Sequence, residues 1–253
     1  MNDQIKLLIG MVVVIVIPAL LAWFIFHQQE KEDDTSQPDS KSEILWGVDS
    51  ATQADQDMYQ CVNSNYGTPA VWGRYLGDIE NVSDALTKDE AAFLHEKDVQ
   101  ILVIYNLIED ATGYENGAAH AESAIDAANE LDIPEGVALF ADIEPIFPVD
   151  TAFLESWYDT LKNSAYEPGV YGVFDEGSDI LSSYNEMEPS RQQDTVVWTA
   201  FPQQDITTKE NAPDYAAQGP DQAKVYGWQY AIDGETCTID TNLFKPEMRR
   251  YLW

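Results

Sequence analysis

From Ile44 to the end of the chain, short β-rich runs alternate with polar stretches able to form helices, and this alternation limits the fold more than any other feature. The runs are ILWGVDS (44–50), PAVWGRYLG (69–77), VQILVIYNL (99–107), GVALFADIEP (136–145), EPGVYGVF (167–174), TVVWTAF (195–201), KVYGWQYA (224–231) and TIDTNLF (238–244). Between them lie segments such as TKDEAAFLHEKD (87–98), NGAAHAESAIDAANELD (116–132) and DTAFLESWYDTLKN (150–163). The last opens on Asp150, a side chain suited to cap a helix, and sets Phe153, Leu154, Trp157 and Leu161 on one face. Eight strand candidates with interspersed helices over about 200 residues predict an α/β fold, a modified (β/α) barrel of the TIM type, over a doubly wound open sheet. Residues 232–237 are too few for a helix, so the barrel should be irregular at its last strands, with antiparallel pairing there. The sequence holds no internal repeat and no Gly-rich phosphate loop.

Alternate residues of a barrel strand point inward, and active sites of such barrels lie at the carboxyl ends of the strands. Period two applied to 137–144 puts Val137, Leu139, Ala141 and Ile143 outward under helices, and Ala138, Phe140, Asp142 and Glu144 inward. Asp142 and Glu144 then share one face, about 7 Å apart along the backbone. Such a pair suits glycosidic cleavage: one carboxylic acid with a raised pKa protonates the leaving oxygen, and a second stabilises positive charge at the sugar carbon. The plain alternative is that both acids cap the following helix or pair with Arg74. Asp49 ends the first strand and Asp240 sits at the end of the last, and in a closed barrel these strands are neighbours. Tyr105, Asn106, Tyr171, Trp198, Trp228, Gln229 and Tyr230 fall at the same level, an inventory suited to stacking on sugar rings and binding hydroxyls. Trp46 and Trp72 are assigned to packing.

Ahead of the barrel, residues 5–26 form an apolar run broken by one charge, Lys6, long enough to span a bilayer as a helix. A cleaved signal peptide is the rival, but its apolar core is shorter and small residues follow it, whereas this run ends Trp23-Phe24-Ile25-Phe26-His27. The expected organisation is a short cytoplasmic N-terminus (1–4), a transmembrane anchor (5–26), a polar linker (27–43) and a barrel domain (44–253). Lys6, with Glu30, Glu32, Asp33 and Asp34 beyond the run, argues for a C-terminal domain outside the cytoplasm, at the cell membrane. Outside the cell, Cys61 and Cys237 would be expected to oxidise to a disulfide where geometry allows it.

The formal charge of −32 makes nucleic acid and anionic lipid heads poor partners. His27, His95 and His120 show no metal-ligand spacing, no G-x-S-x-G elbow occurs, and neither cysteine has a histidine near a strand end. No cofactor and no metal are expected, although Asp49, Asp142, Glu144 and Asp240 are chemically able to hold a divalent ion.

WGVDSAT (46–52), VWGRYLG (71–77), LFADIEP (139–145) and the pair GWQY (227–230) with IDTNLF (239–244) resemble the glycoside-hydrolase-like domain of unknown function of bacterial envelope proteins. That domain is similar to the family-25 lysozymes, which cleave the glycan strand of peptidoglycan on a modified (β/α) barrel. The resemblance runs from about 44 to 245. It implies that Glu144 protonates the glycosidic oxygen, that Asp142 stabilises the transition state or orients an acetamido group, and that Asp49 and Asp240 are the acids of the first and last strands. Arg74 belongs to the pattern of the envelope domain rather than of the lysozymes, and is expected to bind substrate or hold an acid in place. The resulting expectation is a membrane-anchored glycoside hydrolase acting on peptidoglycan or a related envelope glycan. The alternative is a non-catalytic glycan-binding or envelope-structural module on the same barrel.

Overall fold

The computed structural model describes residues 43–253, so the apolar run at 5–26 and the linker up to 42 lie outside the described residues. Among the described residues no helix is long and apolar enough to cross a membrane. From Ile44 onward the chain forms a closed eight-stranded barrel in the order β1 to β8. The strands are β1 (Leu45–Asp49), β2 (Val71–Tyr75), β3 (Gln100–Tyr105), β4 (Ala138–Asp142), β5 (Glu167–Gly172), β6 (Val196–Thr199), β7 (Lys224–Gly234) and β8 (Ile239–Phe244). All eight fall on the β-rich runs of the sequence, and β7 continues three residues past its run into the 232–237 connection. Pairing is parallel from β1 through β7, and β8 runs antiparallel to both β7 and β1, with register shifts in the β7–β8 ladder. The expected irregularity at the last strands is therefore a reversed closing strand.

The outer layer comprises α1 (Gln56–Asn65), α2 (Lys88–Glu96), α3 (Tyr114–Glu130), α4 (Thr151–Lys162), α5 (Asp179–Asn185) and α6 (Pro189–Asp194). Helix α4 starts where the sequence indicates: the Asp150 carboxylate accepts from the Phe153 amide, one of the donors a helix leaves unpaired at its first turn. Its Phe153, Leu154, Trp157 and Leu161 are buried against the barrel, each stabilising the fold by about 2 kcal/mol. Thr87 caps α2 in the same way.

Two apolar layers result from the period-two pattern. Val137, Leu139, Ala141 and Ile143 join the layer between barrel and helices, whereas Ala138 and Phe140 join Leu102, Ile104, Tyr171, Trp198 and Phe244 inside the barrel. Large interior rings fit because glycines stand opposite them. A Cβ on Gly227 would lie 2.8 Å from the Trp198 ring, and one on Gly169 would lie 2.7 Å from Phe140. Below, Met248, Tyr251 and Leu252 of the C-terminal segment plug the barrel. Trp46 and Trp72 are packing residues, as the sequence indicates, in the outer layer. Cys61 on α1 is joined to Cys237 in the β7–β8 turn by a disulfide, so the first helix is tied to the closing hairpin.

Candidate functional site

The carboxyl ends of β1 to β7 form one rim of the barrel, and the reversal of β8 brings its first residues to that rim. Asp240 therefore stands near the start of the last strand rather than at its end, directly across from Asp49 in the β1–β8 register. Asp142 closes β4 beside Tyr171 of β5, and Glu144 follows two residues on, in the loop. The four acids expected from the sequence thus converge on one mouth, where Asp142, Glu144 and Asp240 each feel the charge of Asp49.

Asp49 is held by two side-chain amides. The Asn242 side-chain amide donates to its Oδ2 at 2.6 Å, and the Gln229 amide donates to the same atom at 3.1 Å and to Asp240 Oδ2 at 3.1 Å. A Cβ on Gly73 would lie 2.6 Å from Asp49 Cβ, so only glycine lets this carboxylate lean across β2. Asp240 also accepts from the Asp233 backbone amide. Behind them Tyr171 donates to Gln229 Oε1 at 2.7 Å, and the Trp198 indole donates to Asn242 Oδ1 at 2.8 Å.

Burial is the first cause of every shift in proton affinity here, because a charged carboxylate loses its hydration in the barrel. It raises Asp49 and Asp240 together; Asn242, Gln229 and Arg74 oppose the rise at Asp49, while the Asp49 charge adds to it at Asp240. Asp142, 8 % exposed, is pushed well above the usual aspartate range by burial, Glu144 and Asp49. Its Oδ1 is buried with no hydrogen-bond partner, an arrangement that costs free energy until a ligand supplies one. Glu144 is raised by burial and by Asp49. A cavity of about 330 Å³ adjoins Glu144, lined also by Pro145, Phe147, Val173, Asp175 and Ile180. Larger hollows of 620 and 570 Å³ touch none of the four acids.

The structure separates the remaining expected residues by face. Tyr171, Trp198 and Gln229 lie inside the barrel beneath the acids, Trp198 so deeply that only 1 % of it is exposed. Tyr105 and Trp228 do not reach the mouth. Both are at the expected level but on outward positions: Tyr105 packs on Trp157 and His120, and Trp228 sits between Tyr215 and Tyr230 and donates to Pro202 O. Tyr230 also points outward and accepts from the Trp46 indole. Asn106 is near the rim but committed, donating to Gly77 O and Ser83 Oγ and accepting from Gly77 N. Arg74 is fully buried on the outer side of β2, paired with Glu90 at 2.5 Å and donating to the carbonyls of Ser50 and Asp84. It holds the loops after β1 and β2 and has no surface for a substrate.

Tyr75 is the site residue the motif reading passes over. It ends β2, and burial with the charges of Asp49, Asp142, Asp240 and Glu144 raises its hydroxyl far above the usual tyrosine value, so the hydroxyl stays protonated among all four acids. The signal was available: period two places Val71, Gly73 and Tyr75 on one face, and Tyr75 is the only side chain of the three able to hydrogen-bond. Asn242 was visible only as the last letter of a D-x-N pattern. Among the described residues, no group of three or more His, Cys, Asp or Glu side chains could hold a metal ion.

Known proteins bear on this geometry. The Rv2525c-like, glycoside hydrolase-like domain family matches residues 63–244, a span that includes Asp142, Glu144 and Asp240 but not Asp49. The structure of an uncharacterised B. stearothermophilus protein is 38 % identical over 83 % of this chain and 100 % of its own, with a TM-score of 0.80. The Mycobacterium tuberculosis Tat-secreted protein Rv2525c, solved with L-tartrate, superposes with a TM-score of 0.53 at 16 % identity, covering 80 % of this chain and 97 % of that one. The modular autolysin LytC from Streptococcus pneumoniae, solved with a synthetic peptidoglycan ligand, gives 0.54 at 14 % identity over 80 % of this chain and 47 % of its own. At such identities the last two likenesses are likenesses of fold. No match was found among proteins of curated function.

Proposed function

The chain belongs to the Rv2525c-like, glycoside hydrolase-like domain family, and from that premise we propose that it hydrolyses glycosidic bonds of peptidoglycan or a related envelope glycan while tethered to a membrane. The observation that carries this reading is the mouth itself: four carboxylates and Tyr75 at one rim, with a buried, unpartnered oxygen on Asp142. In a glycoside hydrolase-like fold related to autolysins, such a mouth has the groups that acid-assisted cleavage needs.

Glu144, whose hold on its proton is strengthened by burial and by Asp49, delivers that proton to the glycosidic oxygen as the bond from that oxygen to the anomeric carbon breaks. Water then adds its oxygen to that carbon and returns a proton to the carboxylate. Positive charge on the sugar is offset by Asp49 with its amide partners. Asp142 Oδ1 needs a partner from the substrate, and the N–H of an acetamido group has the right chemistry. The tether is the apolar run at 5–26; roughly 17 linker residues reach at most about 60 Å when extended and nearer 20–25 Å as a coil. The domain would then work outside the cytoplasm on glycan close to the membrane, and protease accessibility in wall-free cells tests that side.

One observation favours a second reading, glycan binding without turnover: burial, Glu144 and Asp49 all raise the proton affinity of Asp142, which works against an anionic companion to Glu144. Incubating the protein with purified peptidoglycan and measuring new reducing ends separates the two. Hydrolysis should be lost by about 10²–10⁴ in Glu144→Gln. No release by the unsubstituted protein across pH and salt would overturn the hydrolase, and retention on the glycan without release would support the binding module.

A further inference from the structure

The polarity of the buried chain behind the mouth is forced by chemistry. An indole N–H only donates, so the atom of Asn242 facing Trp198 is its oxygen and the atom facing Asp49 is its NH₂. Asp49 Oδ2 must then present a lone pair. It receives a second amide hydrogen from Gln229, whose oxygen is occupied by the Tyr171 hydroxyl. Every member is buried: Asp49, Tyr171, Trp198, Gln229 and Asn242. A buried amide that turned over would leave the indole unsatisfied, at the cost of a lost hydrogen bond.

We propose that Trp198, Asn242 and Gln229 are positioning residues that hold Asp49 as the ionised member of the Asp49–Asp240 pair, and that this held charge keeps the proton on Glu144. The inference rests on the reading of Glu144 as proton donor. Groups facing Asp49 come from every side: Tyr75 on β2 with Arg74 behind it, Asp142 at the end of β4 and Glu144 just beyond it, Tyr171 on β5, Gln229 and Asp233 on β7, and Asp240 with Asn242 on β8. Arg74 is the one cation among them. It acts from outside the wall, so the two amides supply the direct stabilisation of the anion. The Asp49 charge in turn raises Glu144, after burial the second cause of its shift.

The test reads charge rather than turnover. In the full chain carrying ¹³C-labelled glutamate carboxyls, the Glu144 resonance is identified by its loss in Glu144→Gln and titrated by NMR. Asn242→Leu removes the donor to Asp49, and Trp198→Phe frees Asn242 to turn its oxygen inward. Both should lower the Glu144 midpoint by about one pH unit, the usual size of a lost neighbouring charge. Trp72→Phe, which loses an indole bond to Ser50 outside the barrel, should leave it unchanged. An unmoved midpoint in folded Asn242→Leu or Trp198→Phe, or an equal shift in Trp72→Phe, overturns the proposal. Rapid exchange of the Asn242 side-chain amide protons in the unsubstituted protein overturns it too, even if neither variant folds. Lost cleavage with the coupling intact would refute the hydrolase and leave the relay standing.

Discussion

Among single residues, Tyr75 and Arg74 sit next to each other on β2 and have opposite fates, because successive side chains of a strand face opposite sides. Tyr75 points into the mouth, where the charges of all four acids act on its hydroxyl. Tyr75→Phe should keep the melting temperature within a few degrees while reducing kcat/KM on glycan about tenfold, the worth of one hydrogen bond of roughly 1.4 kcal/mol. Arg74 points into the wall, and its removal strands a buried carboxylate. Arg74→Met should destabilise the domain by about 3–5 kcal/mol in denaturant unfolding, because the buried Glu90 carboxyl loses its cation and keeps only the Ala54 backbone amide as a donor. A loss of glycan binding in Arg74→Met with unchanged stability would return Arg74 to the site.

At the scale of elements, the closing hairpin decides most. Reversal of β8 carries Asp240 and Asn242 to the mouth, and a parallel eighth strand would have put them at the opposite end. The hairpin is secured to α1 by the Cys61–Cys237 bond, which closes a long loop of chain. Cys61→Ser should lower stability by about 2–4 kcal/mol, mainly by restoring freedom to the unfolded chain. Calorimetry of the oxidised and reduced protein measures this, and equal melting temperatures would contradict it. Alternation of runs was enough to read the strands and the Asp150 cap, since both depend on local pattern. The direction of β8 was only hinted at by the short connection at 232–237.

The whole molecule carries its acidity in two ways. Exposed acids repel one another through water and salt screens them, whereas Asp49, Asp142, Glu144 and Asp240 suffer from burial, which salt hardly touches. These four bind protons more tightly folded than unfolded. Their contribution is therefore complete below the ordinary carboxylate range and is lost as pH rises through the raised values. Asp194 has the opposite sign: burial works to raise it, but hydrogen bonds from Lys224 and Lys162 outweigh burial and hold it at about 2. Its contribution is present above 3.8 and is lost as pH falls from there through about 2. The melting temperature should thus peak in mildly acidic solution and decline from about pH 5 through neutrality, even in high salt. Asp240→Asn should flatten that decline, and a slope unchanged by the substitution would show that the pair is not its source.

By itself the sequence determined the barrel, its inner and outer faces on β4, and the acids Asp142 and Glu144, because side-chain alternation and helix capping are properties of neighbouring residues. Its level of Tyr105 and Trp228 was right while their side was not, since level is a matter of strand length and side is a matter of parity in each strand separately. Only the tertiary structure decided that Arg74 pairs with Glu90 in the wall and that Trp198 and Asn242 set the polarity around Asp49. Those assignments depend on which distant strands meet and which atom of an amide faces a donor, and neither is contained in any local run of residues.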